Sequence, residues 1–416
     1  MTEQRKATGV SELTLPSGLR VVHLQVPRAR VNYCGVAILA GSRDENVTAG
    51  QDGLAHFVEH TLFKGTAKRS SYHIINRMEA VGGELNAFTT KEDTVVYSAF
   101  PSGNLSRALE LIADLVCNSR FPAEELDKER QVVIDEINSY LDSPADAVYD
   151  DFEDMAFRGS SLGHNILGSK KNVSKLSSED CRHWIRRFYR PERIVAFYAG
   201  NIGFDRFVSL VEKYFSFPET SETIAVPTKP SLDLEAEHIV RRIRGNHQAH
   251  VVIGKVIPVL DDKARASMSL LTNILGGPGM NSLLNVDLRE RRGLVYNVEA
   301  SLAVLSDCAL STVYFGCDEE DRRLCHDLVT KRIESMALEG LTSRNLAAAK
   351  KQYSGQMILA RESLENRIIS IARAILIRGH ALSENEQTAL LNELTPEDLR
   401  ASATFLLSPS SLSLIP

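Results

Sequence analysis

No apolar run in this chain is long enough to cross a membrane. The longest, such as Val251-Val252-Ile253, are strand-sized, whereas a spanning helix needs about 20 apolar residues. The first residues, Met1 to Lys6, lack an apolar signal core and the long, acid-free Arg/Ser-rich character of a transit peptide. Cysteine is sparse and scattered. Its six positions (34, 117, 181, 308, 317 and 325) contain no CxxC pair, which reads as reduced, mostly buried thiols in a cytoplasmic protein. Charge of one sign is also lacking: a net charge of -6 over 416 residues argues against a dedicated nucleic-acid binder and leaves peptide or small-molecule partners. What remains is the composition of a globular protein, 43% hydrophobic and 25% charged, long enough for two to four domains.

The most informative stretch is Gly53-Leu54-Ala55-His56-Phe57-Val58-Glu59-His60-Thr61-Leu62-Phe63. It reads as one short helix, with Asp52 able to cap its start, Gly65 able to end it in a left-handed turn, and Lys64 favoured by the negative end of the helix dipole. His56 and His60 are four residues apart, with Cβ atoms about 5–6 Å from one another. Two neutral imidazoles at that spacing can share a zinc ion, and Glu59 on the same face can act as a proton acceptor that does not bind the metal. Leu54, Phe57, Val58 and Leu62 would bury the helix. The pattern H-x-x-E-H occurs in inverzincin peptidases; taken alone, it is equally a pair of non-catalytic surface histidines.

Upstream, Glu12 to Leu15 and Leu19 to Val26 form a hairpin around Pro16-Ser17-Gly18, and Val31 to Leu39 reads as a strand buried on both faces. Downstream come a helix from Ser71 to Val81, paired strands Glu84 to Thr89 and Thr94 to Phe100, and a helix from Asn104 to Cys117. The helix from Ala123 to about Asp142 has an apolar stripe of Leu126, Val133 and Ile137, with Glu129 and Glu136 interleaved. Seven residues apart, these carboxylates lie nearly on one face. Burial without a partner would be costly, so a cation is a natural companion. A solvated face paired with Lys128 and Arg130 is the other reading.

A helix from Ser177 to Phe188, a buried strand from Ile194 to Ala199 and a helix from Phe204 to Phe215 complete the first half. Phe217 to about Leu234, with three prolines, reads as a linker. The second half repeats the order in outline: strands Ile239 to Ile243 and Ala249 to Ile257, helix Lys263 to Leu275, a Gly276–Gly279 turn, and a helix from Asn281 to Arg292. Strands Asn297 to Ala303 and Cys308 to Gly316 follow, then helices Asp318 to Leu338, Thr342 to about Arg378, Ser383 to Leu394 and Pro396 to Phe405. The expectation is an α+β protein of two duplicated mixed α/β sandwich domains, divided as 1–217, a linker at 218–234, and 235–416. H-x-x-E-H does not recur, so only the first half would bind metal.

These motifs, taken together and in order, resemble the pitrilysin/insulinase family of zinc peptidases, specifically its short members related to mitochondrial processing peptidase. His56–Glu59–His60 continues into Leu62-Phe63-Lys64-Gly65-Thr66, and Glu129-Arg130-Gln131-Val132-Val133-Ile134-Asp135-Glu136 resembles the helix carrying the third zinc ligand. The resemblance implies that Glu136 is that ligand and Glu129 a supporting carboxylate. It also implies that Gly82 to Thr89 contains the edge strand receiving substrate backbone, through Asn86, Ala87 and Phe88. Leu288 to Tyr296 resembles the motif whose Arg and Tyr, here Arg289 and Tyr296, act on the substrate from the second half. Pro278 departs from the usual all-small glycine-rich loop and leaves the local substrate contacts open.

The resemblance therefore implies a zinc endopeptidase, with one Zn2+ per chain held by His56, His60 and Glu136 and with Glu59 as general base. It would act on unfolded peptides or presequence-like segments in a chamber closed by two chains. Because this chain keeps both motifs, a homodimer is expected, with no nucleic-acid or membrane partner. The alternatives are a non-catalytic peptide-binding or assembly subunit, and a structural zinc protein. Glu59 beside the histidines argues against the latter, since structural sites more often complete four protein ligands.

Overall fold

The computed structural model describes residues 5–7, 9–218, 223–224, 227–232, 235–243 and 247–416. Much of the expected linker therefore lies outside the described residues. The chain forms two compact units that depart from sequence order. The first contains residues 1–137, 164–227 and 360–383; the second contains 138–163, 228–359 and 384–416.

The first unit is built on a seven-stranded sheet of order β1-β2-β3-β7-β4-β6-β5. Its strands are β1 (Arg5–Ala7), β2 (Val10–Thr14), β3 (Arg20–Gln25), β4 (Val31–Ile38), β5 (Glu84–Thr89), β6 (Thr94–Pro101) and β7 (Ile194–Gly200). β2 and β3 form the expected hairpin, with Gly18 taking the left-handed turn at φ +92°. β3 runs parallel to β7, and β4 is antiparallel to both its neighbours. Period-two alternation sends Cys34, Val36 and Ile38 to one face, against the helices Leu54–Leu62 and Leu105–Asn118. Val22, Ala37, Val195 and Phe197 face the other way, against the helix Leu364–Arg378. Strand β5 is the sheet edge.

The second unit has a five-stranded sheet of order β10-β11-β9-β12-β8. These strands are β8 (His238–Arg242), β9 (Ala249–Pro258), β10 (Val295–Val304), β11 (Cys308–Cys317) and β12 (Ser410–Ile415). One face packs Val251, Ile253, Val313 and Phe315 against the helices Asp262–Gly276, Arg322–Leu338 and Pro396–Phe405. The other packs Val252, Leu310, Leu412 and Leu414 against the helix Pro144–Ala156. Both units are thus mixed α/β sandwiches, as expected.

Local differences have identifiable causes. Periodicity predicts one helix over 342–378, but the chain forms Ser343–Arg361 and Leu364–Arg378, because the Ser363 side chain accepts from Asn366 N (3.2 Å) and starts a new helix. The helix expected over 281–292 is largely a π-helical turn, Asn285–Glu290. The helix Pro144–Ala156 and strand β12 are additional elements. Among the described residues, no helix is long and apolar enough to cross a membrane.

Candidate metal centre

The helix Leu54–Leu62 is almost wholly buried, with Leu54, Phe57, Val58 and Leu62 in the core of the first unit. Its start differs from expectation. Gly53 is the N-cap, in left-handed conformation at φ +87°. Asp52 caps nothing there: its carboxylate lies against the 169–172 loop, accepting from Ser169 N (2.8 Å) and from the Asn172 amide. Capping falls to Glu45, whose oxygens accept from Gly53 N (2.9 Å) and Ala55 N (2.7 Å). His164 Nε2 donates to the same carboxylate at 2.8 Å, and Lys91 Nζ holds the His164 carbonyl at 2.7 Å. At the far end Phe63, not Gly65, is the C-cap. Lys64 is engaged by a carboxylate, with its Nζ 2.6 Å from Glu129 Oε2.

The helix Ala123–Leu141 buries Leu126, Glu129, Val133 and Ile137, so Glu129 shares the inward stripe. The cations that could have solvated this face are occupied elsewhere: Lys128 pairs with Glu125 (2.7 Å), and Arg130 pairs with Asp127 and the Leu176 carbonyl. Glu136 turns instead to the histidines. Its Oε2 lies 3.7 Å from His56 Nε2 and 3.6 Å from His60 Nε2. Donors bound tetrahedrally to zinc at about 2.0–2.1 Å would be about 3.3–3.4 Å apart, so a small contraction closes the shell. Among the described residues, this is the one group of three or more His, Cys, Asp or Glu side chains able to hold a metal, its donor atoms all within 4.8 Å of one another.

The surrounding hydrogen bonds orient these donors. His60 Nδ1 donates to Glu129 Oε1 at 2.9 Å, which leaves the Nε2 lone pair directed at the shared position. His56 Nδ1 is buried without a hydrogen-bond partner. Burial, reinforced by the neighbouring His60, drives the His56 pKa down to about 3, so this imidazole is neutral and available as a ligand. Burial also opposes charge on His60, but the Glu129 hydrogen bond and the charges of Glu59, Glu129 and Glu136 outweigh it and raise its pKa. For Glu129, burial is outweighed by bonds from His60 and Lys64, and its pKa is lowered. Burial raises that of Glu59, although Thr89 Oγ1 donates to Glu59 Oε2 at 2.7 Å and works the other way.

Asn86, Ala87 and Phe88 lie on β5, opposite Tyr97, Val96 and Val95 of β6, with the outer edge of the strand paired to no other strand among the described residues. Asn86 is exposed, whereas Phe88 packs edge-on to Tyr97 under the Arg373 guanidinium. Arg289 and Tyr296 belong to the second unit. Arg289 sits in the π-helical turn and lines a cavity of about 300 Å³ with Gly276–Met280, Asn285 and Asn297–Ala300. Within that turn, Asp287 is held by Arg332 and Arg291. Tyr296 is exposed on β10, its hydroxyl 3.3 Å from Asp318 Oδ1.

Known proteins resemble this chain over most of its length. The model of the insulinase family, peptidase family M16, matches residues 20–170, and that of the M16 inactive domain matches residues 175–353. The chain belongs to the M16 peptidase family. Among its relatives, an uncharacterized zinc protease of Mycobacterium tuberculosis is 35% identical over 404 residues, covering 95% of this chain and 90% of its own. One from Streptomyces coelicolor is 33% identical over 416 residues, covering 98% and 89%. In fold, the chain resembles a protease from Helicobacter pylori (TM-score 0.89, 21% identity, all of both chains) and an M16-like peptidase from Alicyclobacillus acidocaldarius (TM-score 0.85, 19% identity, 100% and 98% covered). M16 membership and the His56–His60–Glu136 donor set make the chain a zinc metalloendopeptidase.

Proposed function

We propose that this endopeptidase acts on unfolded peptides, presequence-like segments included, as a cytoplasmic homodimer that encloses its substrate and carries one zinc per chain. The observation that carries the reading is Glu59: a buried carboxylate beside three metal donors, but tied to Thr89 and outside the donor set. His56, His60 and Glu136 would hold the zinc, which when bound supplies Lewis acidity to polarise a carbonyl and lower the pKa of water. Glu59 takes a proton from the attacking water and returns it to the leaving amine. The open edge of β5, around Asn86, Ala87 and Phe88, binds peptide backbone by strand addition, a mode that tolerates varied sequence. Arg289 and Tyr296 grip the substrate and stabilise the oxyanion, and Glu129 orients His60. On this reading the metal-bearing division follows 1–217 in sequence and the substrate-binding division 235–416, joined by 218–234, while residues 138–163 pack within the second unit and 360–383 within the first.

The test is hydrolysis of a pool of unstructured peptides by the zinc-loaded protein beside Glu59→Gln and Glu136→Gln. The expected result is cleavage by the parent, zinc retained without turnover in Glu59→Gln, and zinc lost in Glu136→Gln. No cleavage by the zinc-loaded parent would overturn the reading in favour of a non-catalytic peptide-binding or assembly subunit. Light scattering tests the dimer, and a monomer at assay concentration would refute it.

A further inference from the structure

Thr89 is the last residue of β5 and pairs across the hairpin with Thr94. Its hydroxyl is 2.7 Å from Glu59 Oε2 and 3.3 Å from Thr94 Oγ1. A threonine hydroxyl has one proton to donate. Thr94 is fully buried and commits its own proton to the Ala40 carbonyl at 2.8 Å, so Thr94 is no donor toward Thr89. The proton of Thr89 goes to Glu59. This is the one hydrogen bond that Glu59 accepts among the described residues, and it occupies Oε2 while leaving Oε1 free.

We infer that Thr89 is a positioning residue for the proton-transfer step, fixing the rotation of the Glu59 carboxylate so that its second oxygen faces the attacking water. The inference rests on the peptidase reading and deepens it. A carboxylate tied through one oxygen is pre-oriented through the other, and positioning of this kind is where a general base gains efficiency. The tie also comes from a particular place. The residue that holds the base terminates the strand whose open edge is the docking site for substrate backbone, only one residue beyond Phe88. A peptide adding to β5 would immobilise the same strand end that aims Glu59, linking strand addition to proton transfer through one side chain.

The experiment compares the zinc-loaded parent with Thr89→Val, which preserves shape without a donor, and Thr89→Ser, which restores the hydroxyl. Bound zinc is measured by metal analysis, peptide affinity by fluorescence anisotropy on the zinc-free protein, and kcat and KM on a cleaved peptide. Thr89→Val should keep zinc and peptide affinity at parental levels while kcat falls roughly 10- to 100-fold, the rate equivalent of one hydrogen bond to a charged group. Thr89→Ser should recover most of that loss. Parental kcat in Thr89→Val overturns the inference, as does a fall matched by lost zinc or lost peptide affinity, or a Ser variant no better than Val. These outcomes differ from failure of the peptidase reading, in which the parent itself does not cleave.

Discussion

Removing Glu129 should weaken zinc binding although Glu129 is not a zinc donor. Its Oε1 accepts the His60 Nδ1 proton at 2.9 Å, and its Oε2 is 2.6 Å from Lys64 Nζ. With the carboxylate gone, His60 loses the partner that selects its tautomer and ring orientation, and Lys64 loses its counter-charge near the site. Loss of such a partner typically costs 10–100-fold in metal affinity, or about 1.4–2.7 kcal/mol. Glu129→Gln keeps an acceptor oxygen for His60 and belongs near the lower figure; Glu129→Ala removes both acceptor and charge and belongs near the upper. The assay is competition for zinc against a fluorescent chelator at neutral pH, with circular dichroism to establish that the helices persist. Affinity within about a factor of two of the parent in both variants would refute the reasoning, since the loss expected of an orienting partner is larger. Helix packing alone would then set the orientation of His60.

Other outcomes follow from the frame around the helix. Gly53→Ala should lower the melting temperature more than Gly82→Ala: both glycines have positive φ, but a Cβ at Gly53 would lie 2.5 Å from the Leu167 carbonyl, whereas one at Gly82 meets nothing within 4 Å. Equal shifts in a thermal scan would count against that clash. Glu45→Gln places an amide where three donors converge and should cost about 1–3 kcal/mol in urea unfolding; an unchanged midpoint would remove Glu45 as the helix anchor. The Glu129 carboxyl is held below its ordinary range, so its contribution to stability is present above the unfolded pKa of about 4.3 and disappears as pH falls through the lower folded value. Urea titrations of the zinc-free Glu129→Gln variant should therefore show a shallower acid loss below about pH 4.5 than the parent; identical slopes would contradict this.

The histidine pair is legible in the sequence because it is local: His56 and His60 share a face by helical period. Period alone puts Glu129 and Glu136 on one face but does not say what they meet; the family resemblance joins Glu136 to the histidines, and the fold brings the three within reach of one another. The solvated-face alternative depended on Lys128 and Arg130, which the fold pairs with Glu125, Asp127 and Leu176. What is not legible is long-range. Glu45 and His164 are 119 positions apart and meet only in the folded unit. Thr89 lies inside a recognisable strand, but its hold on Glu59 depends on where that strand sits in the sheet. Strand β12 is six residues long and takes its place between β9 and β8, a pairing no local pattern announces. The π-helical turn at Asn285–Glu290, where Arg332 holds Asp287, is likewise announced by no local pattern.

The helix Leu364–Arg378 belongs to the first unit, more than 140 residues after the last strand of its sheet. It covers Val22, Val195 and Phe197, while Tyr97 and Asp93 hold it through Glu365 and Arg373. A fragment ending near residue 217 would leave that face bare and sticky, however complete its zinc motif. During synthesis, the metal-bearing sheet must therefore wait, half-clothed, until nearly the whole chain has left the ribosome, so premature termination should yield insoluble protein instead of a minimal peptidase.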